Sequence, residues 1–162
     1  MEILLMQHGV SLSRELNPER PLSPVGKEQA GRTGKLLQSL GLQFAAILTS
    51  PKARAVETAM IVAEAVGFPP QRITASDAFK PKTMPQDSAD MLRAYEGPNR
   101  VLVAGHLPNL AELASHLLTR GPSLSIVFEN TGLVCLEVKS TAARNAALLY
   151  HLTPRHIQML TR

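Results

Sequence analysis

Glu2-Ile3-Leu4-Leu5-Met6-Gln7-His8-Gly9 is the stretch from which the fold can be read. Glu2 to Met6 is a mostly apolar run without a polar face, the pattern of a strand covered on both sides of a sheet. The run stops at a histidine followed by a glycine. In an open α/β sheet, ligands bind just beyond the carboxyl ends of the strands, and His8 stands at that place. Gly9 lets the backbone turn closely around whatever His8 meets. Alone, a histidine at a strand end is more often structural than catalytic; two later stretches alter that balance.

A chain of 162 residues with 44% hydrophobic content predicts a single domain, residues 1–162, with a sizeable buried core. No apolar run approaches membrane-spanning length, so no membrane partner is expected. The apolar run at Glu2–Met6 is too short for a signal peptide and lacks a basic segment before it. The one cysteine, Cys135, cannot form an internal disulfide and suits a reducing, cytoplasmic compartment. Net charge is +4, yet Lys and Arg are scattered and aromatics make up only 4%, so nucleic acid is not an expected partner.

Beyond His8, Val10 to Pro21 reads as a polar loop. Ser23 is placed to cap a helix with Pro24 in its first turn, running on to Gly41. Phe44–Thr49 reads as a second strand and Ser50-Pro51 as the cap of a second helix that Gly67 stops. Arg72–Ala75 is a short strand candidate, Ser76–Gln86 a loop and Asp87–Glu96 a modest helix. Arg100–Ala104 is another buried strand, ending at Gly105-His106, and Pro108 opens a helix over Asn109–Leu118. Ile126–Phe128 and Leu133–Val138 read as strands, and Ala147–Leu152 as a last strand in a hairpin with the one before it. Strand and helix alternating from residue 2 to residue 118 predict a three-layer α/β/α sandwich. Its sheet is mainly parallel, with an antiparallel C-terminal portion.

If the strands are parallel neighbours, His8, Arg54 and His106 converge at one sheet edge. Two imidazoles and a guanidinium suit a tetrahedral oxyanion, because arginine offers planar, permanently charged donors. An imidazole can also attack phosphorus and carry the phosphoryl group covalently.

Several stretches, in order, resemble the histidine phosphatase superfamily. They are Leu5-Met6-Gln7-His8-Gly9, Arg20-Pro21-Leu22-Ser23-Pro24-Val25-Gly26, Thr49-Ser50-Pro51-Lys52-Ala53-Arg54-Ala55-Val56-Glu57-Thr58-Ala59 and Val103-Ala104-Gly105-His106-Leu107-Pro108, with Asn130-Thr131-Gly132 later. The chain is most similar to the short, SixA-type branch of phosphohistidine phosphatases, since it has no room for the inserted helices of the mutase-like members. The resemblance implies a phosphoglycerate mutase-like fold and a phosphatase that needs no metal or other cofactor. It makes His8 the nucleophile that becomes phosphohistidine, and Arg54 and His106 the groups that hold the phosphoryl oxygens. The partner implied is a phosphorylated protein carrying phosphohistidine, or a small phosphoester. Gln7, Gly9, Ser11 and Arg20 fall at positions that would touch the phosphate.

The chain departs from the family pattern at two points. Gln7 stands where the family has an arginine, which removes a charge and a two-pronged donor. The expected result is weakened catalysis, or a non-catalytic module that binds phosphate or phosphoprotein. Arg20 is placed either to restore charge to the pocket or to fix its own loop through a salt bridge. The general acid is the second departure: Asp77 is the nearest carboxylate candidate, with Asp87 behind it. A phosphohistidine substrate needs little acid help, because imidazole is a good leaving group. His116, His151, His156 and Cys135 read as packing or surface residues.

Overall fold

The computed structural model describes residues 1–161. Along the chain run β1 (Glu2–Gln7), α1 (Pro24–Ser39), β2 (Ala46–Thr49), α2 (Ala53–Ala65), β3 (Thr74–Ala75) and α3 (Pro85–Leu92). There follow β4 (Arg100–Gly105), α4 (Asn109–Leu118), β5 (Leu133–Ser140), β6 (Asn145–Leu152) and α5 (Pro154–Leu160). The strands form one six-stranded sheet in the order β3-β2-β4-β1-β5-β6. The run from β3 to β1 is parallel, while β5 and β6 are antiparallel to their neighbours.

The alternation of side chains along β1 explains the layering. Ile3 and Leu5 point to one face, where they meet Leu92 of α3 and Leu110, Leu113 and Leu117 of α4. Leu4 and Met6 point to the other, against Leu36 and Leu37 of α1, Val62 of α2 and Ile157 of α5. All four β1 side chains are fully buried, so the unbroken apolar run in the sequence reflects burial on both faces. At the start of the strand, the Glu2 carboxylate meets its cross-strand neighbour Arg100 at 2.6 Å.

Helix boundaries follow the local chemistry. Ser23 caps α1, its Oγ accepting from the Gly26 N–H at 3.1 Å, and Pro24 occupies the first turn. Gly41 follows the helix with φ of 66°, the left-handed conformation that glycine adopts without strain. The helix expected over Asn109–Leu118 has those bounds.

Four expectations need correction. Ile126–Phe128 forms no strand; Phe128 is buried in the core but its backbone joins no ladder. The segment expected as a loop before Gln86 holds a 3-10 turn at Asp77–Phe79, anchored by the fully buried Phe79, and α3 already begins at Pro85. Ser50 does not cap α2, because its hydroxyl is directed to His106. Helix α5 was not anticipated; Thr153 caps it and Ile157 is its one buried contact. No helix among the described residues is long and apolar enough to cross a membrane.

Candidate active site

Strand β4 lies between β1 and β2, so the ends of β1 and β4 are adjacent and α2 begins one strand further on. This register places Gln7 beside Gly105, and the next residues, His8 and His106, leave the sheet together. Their rings meet edge to face with centroids 4.9 Å apart. Arg54, in the first turn of α2, reaches across and donates from Nε to His8 Nε2 at 3.1 Å. The three residues expected to converge are in contact.

His8 is held in one tautomer. Its Nδ1 lies 2.7 Å from the Gly9 carbonyl, which can only accept, so Nδ1 carries the proton. Nε2 is left with its lone pair directed at Arg54. Burial, partly opposed by the Gly9 hydrogen bond and aided by the charges of Arg54 and Arg20, lowers the His8 pKa from 6.5 to about 4. Burial and the neighbouring His8, Arg54, Lys52 and Arg20 lower His106 further, to about 3. Both rings are therefore neutral near pH 7, and His8 presents an unprotonated nitrogen.

Gly9 and Gly26 make this geometry possible. A Cβ at Gly9 would lie 2.6 Å from the Gly26 carbonyl oxygen, and one at Gly26 would lie 2.0 Å from that of Val10. The start of α1 thus presses directly on the backbone after His8. From the other side Thr58 accepts from the Gly9 N–H at 3.1 Å and donates to the Arg54 carbonyl at 2.7 Å. The loop before β5 closes the third side. Thr131 N–H donates to the Gln7 carbonyl at 2.8 Å and the Asn130 amide to the His8 carbonyl at 2.6 Å.

His8, Arg54 and His106 line a cavity of about 380 Å³; Gly9, expected to touch the phosphate, is buried outside its wall with its N–H turned to Thr58. Gln7, Ser11, Arg20 and Asn130 join the triad in its wall, with Val10, Pro81 and Leu107 as an apolar rim. Arg20 adopts φ of 51° and its guanidinium donates to Ser11 Oγ at 3.3 Å and to the Leu12 carbonyl at 3.4 Å. It thus braces its own loop and adds charge to the pocket, through neutral partners rather than a salt bridge. The Gln7 Oε1 is buried with no hydrogen-bond partner among the described residues.

Asp77 is not brought to this cavity. It is exposed, and its carboxylate pairs with Lys80 at 2.7 Å, because the 3-10 turn directs it outward. Asp87 is likewise exposed and absent from the lining, which contains no carboxylate among the described residues. A larger cavity of about 530 Å³ lies beside α4, but its Arg144 is spent on the carbonyls of His116 and Thr119. The chemistry is concentrated in the smaller one.

Sequence reasoning assigned no site role to Ser50, Glu57 or Thr58. Thr58 was open to detection, since it follows Arg54 by four residues and a helical threonine bonds back to that carbonyl. The Glu57 carboxylate, which accepts from the Leu22 N–H at 2.9 Å, gives no local signal for a partner so far back in the chain.

The sequence model of the histidine phosphatase superfamily (branch 1) matches residues 3–79, which include β1 from Ile3 onward, Arg20 and the whole of α2. The chain belongs to the histidine phosphatase superfamily. An uncharacterized protein of Picosynechococcus sp. is 33% identical over 149 residues, covering 89% of this chain and 88% of that protein. The mitochondrial serine/threonine-protein phosphatase PGAM5 of Homo sapiens is 43% identical over 61 residues, which is 37% of this chain and 21% of PGAM5. The chain thus spans only about a fifth of that phosphatase. In fold it is similar to the protein histidine phosphatase SixA complexed with tungstate, with TM-score 0.85 and 21% identity over 97% of this chain and 99% of that one. A phosphoserine phosphatase of Entamoeba histolytica superposes with TM-score 0.73 at 15% identity, over 96% and 98% of the two chains. The architecture is phosphoglycerate mutase-like, as expected.

Proposed function

We propose that this chain is a metal-independent phosphatase that acts through a phosphohistidine at His8, with phosphohistidine on a protein as its favoured substrate. The observation that carries the reading is the fixed His8 ring: Nδ1–H is bound to the Gly9 carbonyl and Nε2 is free of a proton beside Arg54. The Nε2 lone pair attacks phosphorus; the new N–P bond forms as the bond to the leaving group breaks. Arg54 moves from Nε2 to the phosphoryl oxygens, and His106 and Asn130 face the same group. Water then cleaves the N–P bond and releases inorganic phosphate. Most of the catalysis is positioning and charge stabilisation.

The substrate class follows from the lining. With no carboxylate in the wall, a poorly departing alkoxide has no obvious proton donor. An imidazole leaving group needs little such help, and small phosphoesters with good leaving groups come next. The similarity to SixA in fold agrees with this choice.

A second reading is a phosphate- or phosphoprotein-binding module with little turnover. Gln7 favours it, since a neutral amide stands at the pocket wall with its oxygen unpartnered. The deciding experiment is hydrolysis of a phosphohistidine protein and of p-nitrophenyl phosphate, with and without EDTA. Turnover that survives EDTA, leaves an acid-labile label and vanishes in His8→Ala is the expected result. A His8→Ala protein with wild-type turnover overturns the assignment; tungstate binding without any turnover establishes the second reading.

A further inference from the structure

We propose that Ser50 is a positioning residue that holds His106 as the Nδ1–H tautomer, so that this imidazole meets the phosphoryl group as a neutral hydrogen-bond donor. The inference rests on the phosphatase reading above for its catalytic consequence, but not for the tautomer itself. Ser50 directly follows β2, which ends at Thr49, and is wholly buried. Its Oγ has a short contact with His106 Nε2, 2.6 Å, and a longer one with the Lys52 N–H, 3.4 Å.

A count of protons decides the direction of the short bond. The Lys52 amide can only donate, so Ser50 Oγ accepts there. The hydroxyl proton then has one acceptor among the described residues, the His106 Nε2 lone pair. In the alternative tautomer Nε2 would carry a proton and donate to Ser50. The serine oxygen would then accept two bonds while its own proton stayed buried without a partner, a costly arrangement. The Ser50 carbonyl is occupied separately, by the Thr49 hydroxyl at 3.1 Å. Nδ1 is the ring nitrogen left over, and it makes no bond within the described chain, although His106 is only 2% exposed and lines the cavity.

The two histidines thereby acquire opposite roles from two different backbone-anchored partners. The Gly9 carbonyl takes the proton side of His8 and leaves a lone pair for attack. The Ser50 hydroxyl takes the lone-pair side of His106 and leaves an N–H for the phosphoryl oxygens. A serine before a proline, ahead of the Arg54 helix, thus does more than link a strand to a helix.

The test is long-range proton–nitrogen NMR of the full-length protein carrying 15N-histidine, at pH 7, without substrate. The expected wild-type signature for His106 is a protonated Nδ1 and an unprotonated Nε2. Ser50→Ala should collapse that preference and lower kcat for p-nitrophenyl phosphate about tenfold with KM little changed. Ser50→Thr, which keeps the hydroxyl, should restore both. A wild-type His106 protonated at Nε2 overturns the proposal, as does an unchanged tautomer in Ser50→Ala. The wild-type spectrum alone decides if Ser50→Ala fails to fold. Because the spectrum needs no turnover, a protein that binds phosphate without hydrolysing it still gives a clear answer, and failure of the phosphatase reading is seen only in the kinetics.

Discussion

Asn130 lies 122 residues after His8 and donates its side-chain amide to the His8 main-chain carbonyl at 2.6 Å. The bond fixes the peptide that follows His8 from the far side of β1. It also brings an amide nitrogen to the wall of the cavity that His8, Arg54 and His106 line.

Asn130→Ala is expected to cost about 1 kcal/mol of stability, the usual worth of one partly buried hydrogen bond, and to lower kcat. Asn130→Asp should be worse, since a carboxylate would face both the His8 carbonyl and the bound phosphoryl group. Thermal unfolding together with steady-state kinetics of the two variants checks the order. An Asp variant as active as the wild type would remove Asn130 from the pocket.

Gly9→Ala and Gly26→Ala should each destabilise the protein by at least about 1–3 kcal/mol, the range for forcing atoms into a packed site. The added methyl would press on backbone, not on a side chain that can turn away. Urea unfolding measures the loss. Activity should fall further than stability at Gly9, because its carbonyl orients His8.

Restoring an arginine at Gln7 should raise phosphatase turnover by about one to two orders of magnitude, the worth of a charged hydrogen bond of roughly 1.5–3 kcal/mol. Turnover on p-nitrophenyl phosphate and tungstate affinity read this out in parallel. Tighter tungstate binding with turnover still near background would instead mark the site as a binding pocket. No change in either would place residue 7 outside the anion's reach.

The two active-site histidines predict a particular acid sensitivity. Their folded pKa values, about 4 for His8 and about 3 for His106, lie below the ordinary 6.5. Between those limits the unfolded chain binds protons that the folded chain refuses, so stability falls as pH drops below 6.5. Each histidine contributes a slope of up to about 1.4 kcal/mol per pH unit, ending near pH 4 for His8 and pH 3 for His106. Urea unfolding from pH 7 to 4.5 should show a shallower dependence in the His8→Ala, His106→Ala double variant. Equal slopes in the two proteins would show that neither ring is held neutral.

The sandwich was legible because burial on both sheet faces leaves an unmistakable trace, the continuous apolar runs of β1 and β4. His8, Arg54 and His106 were legible because the two histidines stand just after strand ends and Arg54 opens the helix that follows a third, and the sheet order then brought them together. Ser50 was misread for a physical reason: a serine before a helix is a good cap in isolation. Only the cross-strand approach of β4 supplies the stronger acceptor. Asp77 failed in the opposite way, since a carboxylate close in sequence to the pocket is turned outward by a 3-10 turn and meets Lys80. Helix α5 left little trace because its seven residues bury only Ile157.

The position of β1 between a parallel and an antiparallel neighbour has a consequence for how activity is lost. The stretch up to Phe79 contributes His8 and Arg54, while β4 brings His106 and the turn before β5 brings Asn130. No contiguous half of the chain therefore owns the pocket. Peeling β5 and β6 from the sheet edge would release Asn130 and Thr131 from the carbonyls of His8 and Gln7, even with β1, β4 and their helices in place. Loss of function under heat or denaturant should then begin with fraying of the C-terminal hairpin, ahead of global melting. A partly opened molecule would keep most of its secondary structure and lose the arrangement of His8, Arg54 and His106 on which the proposed activity depends.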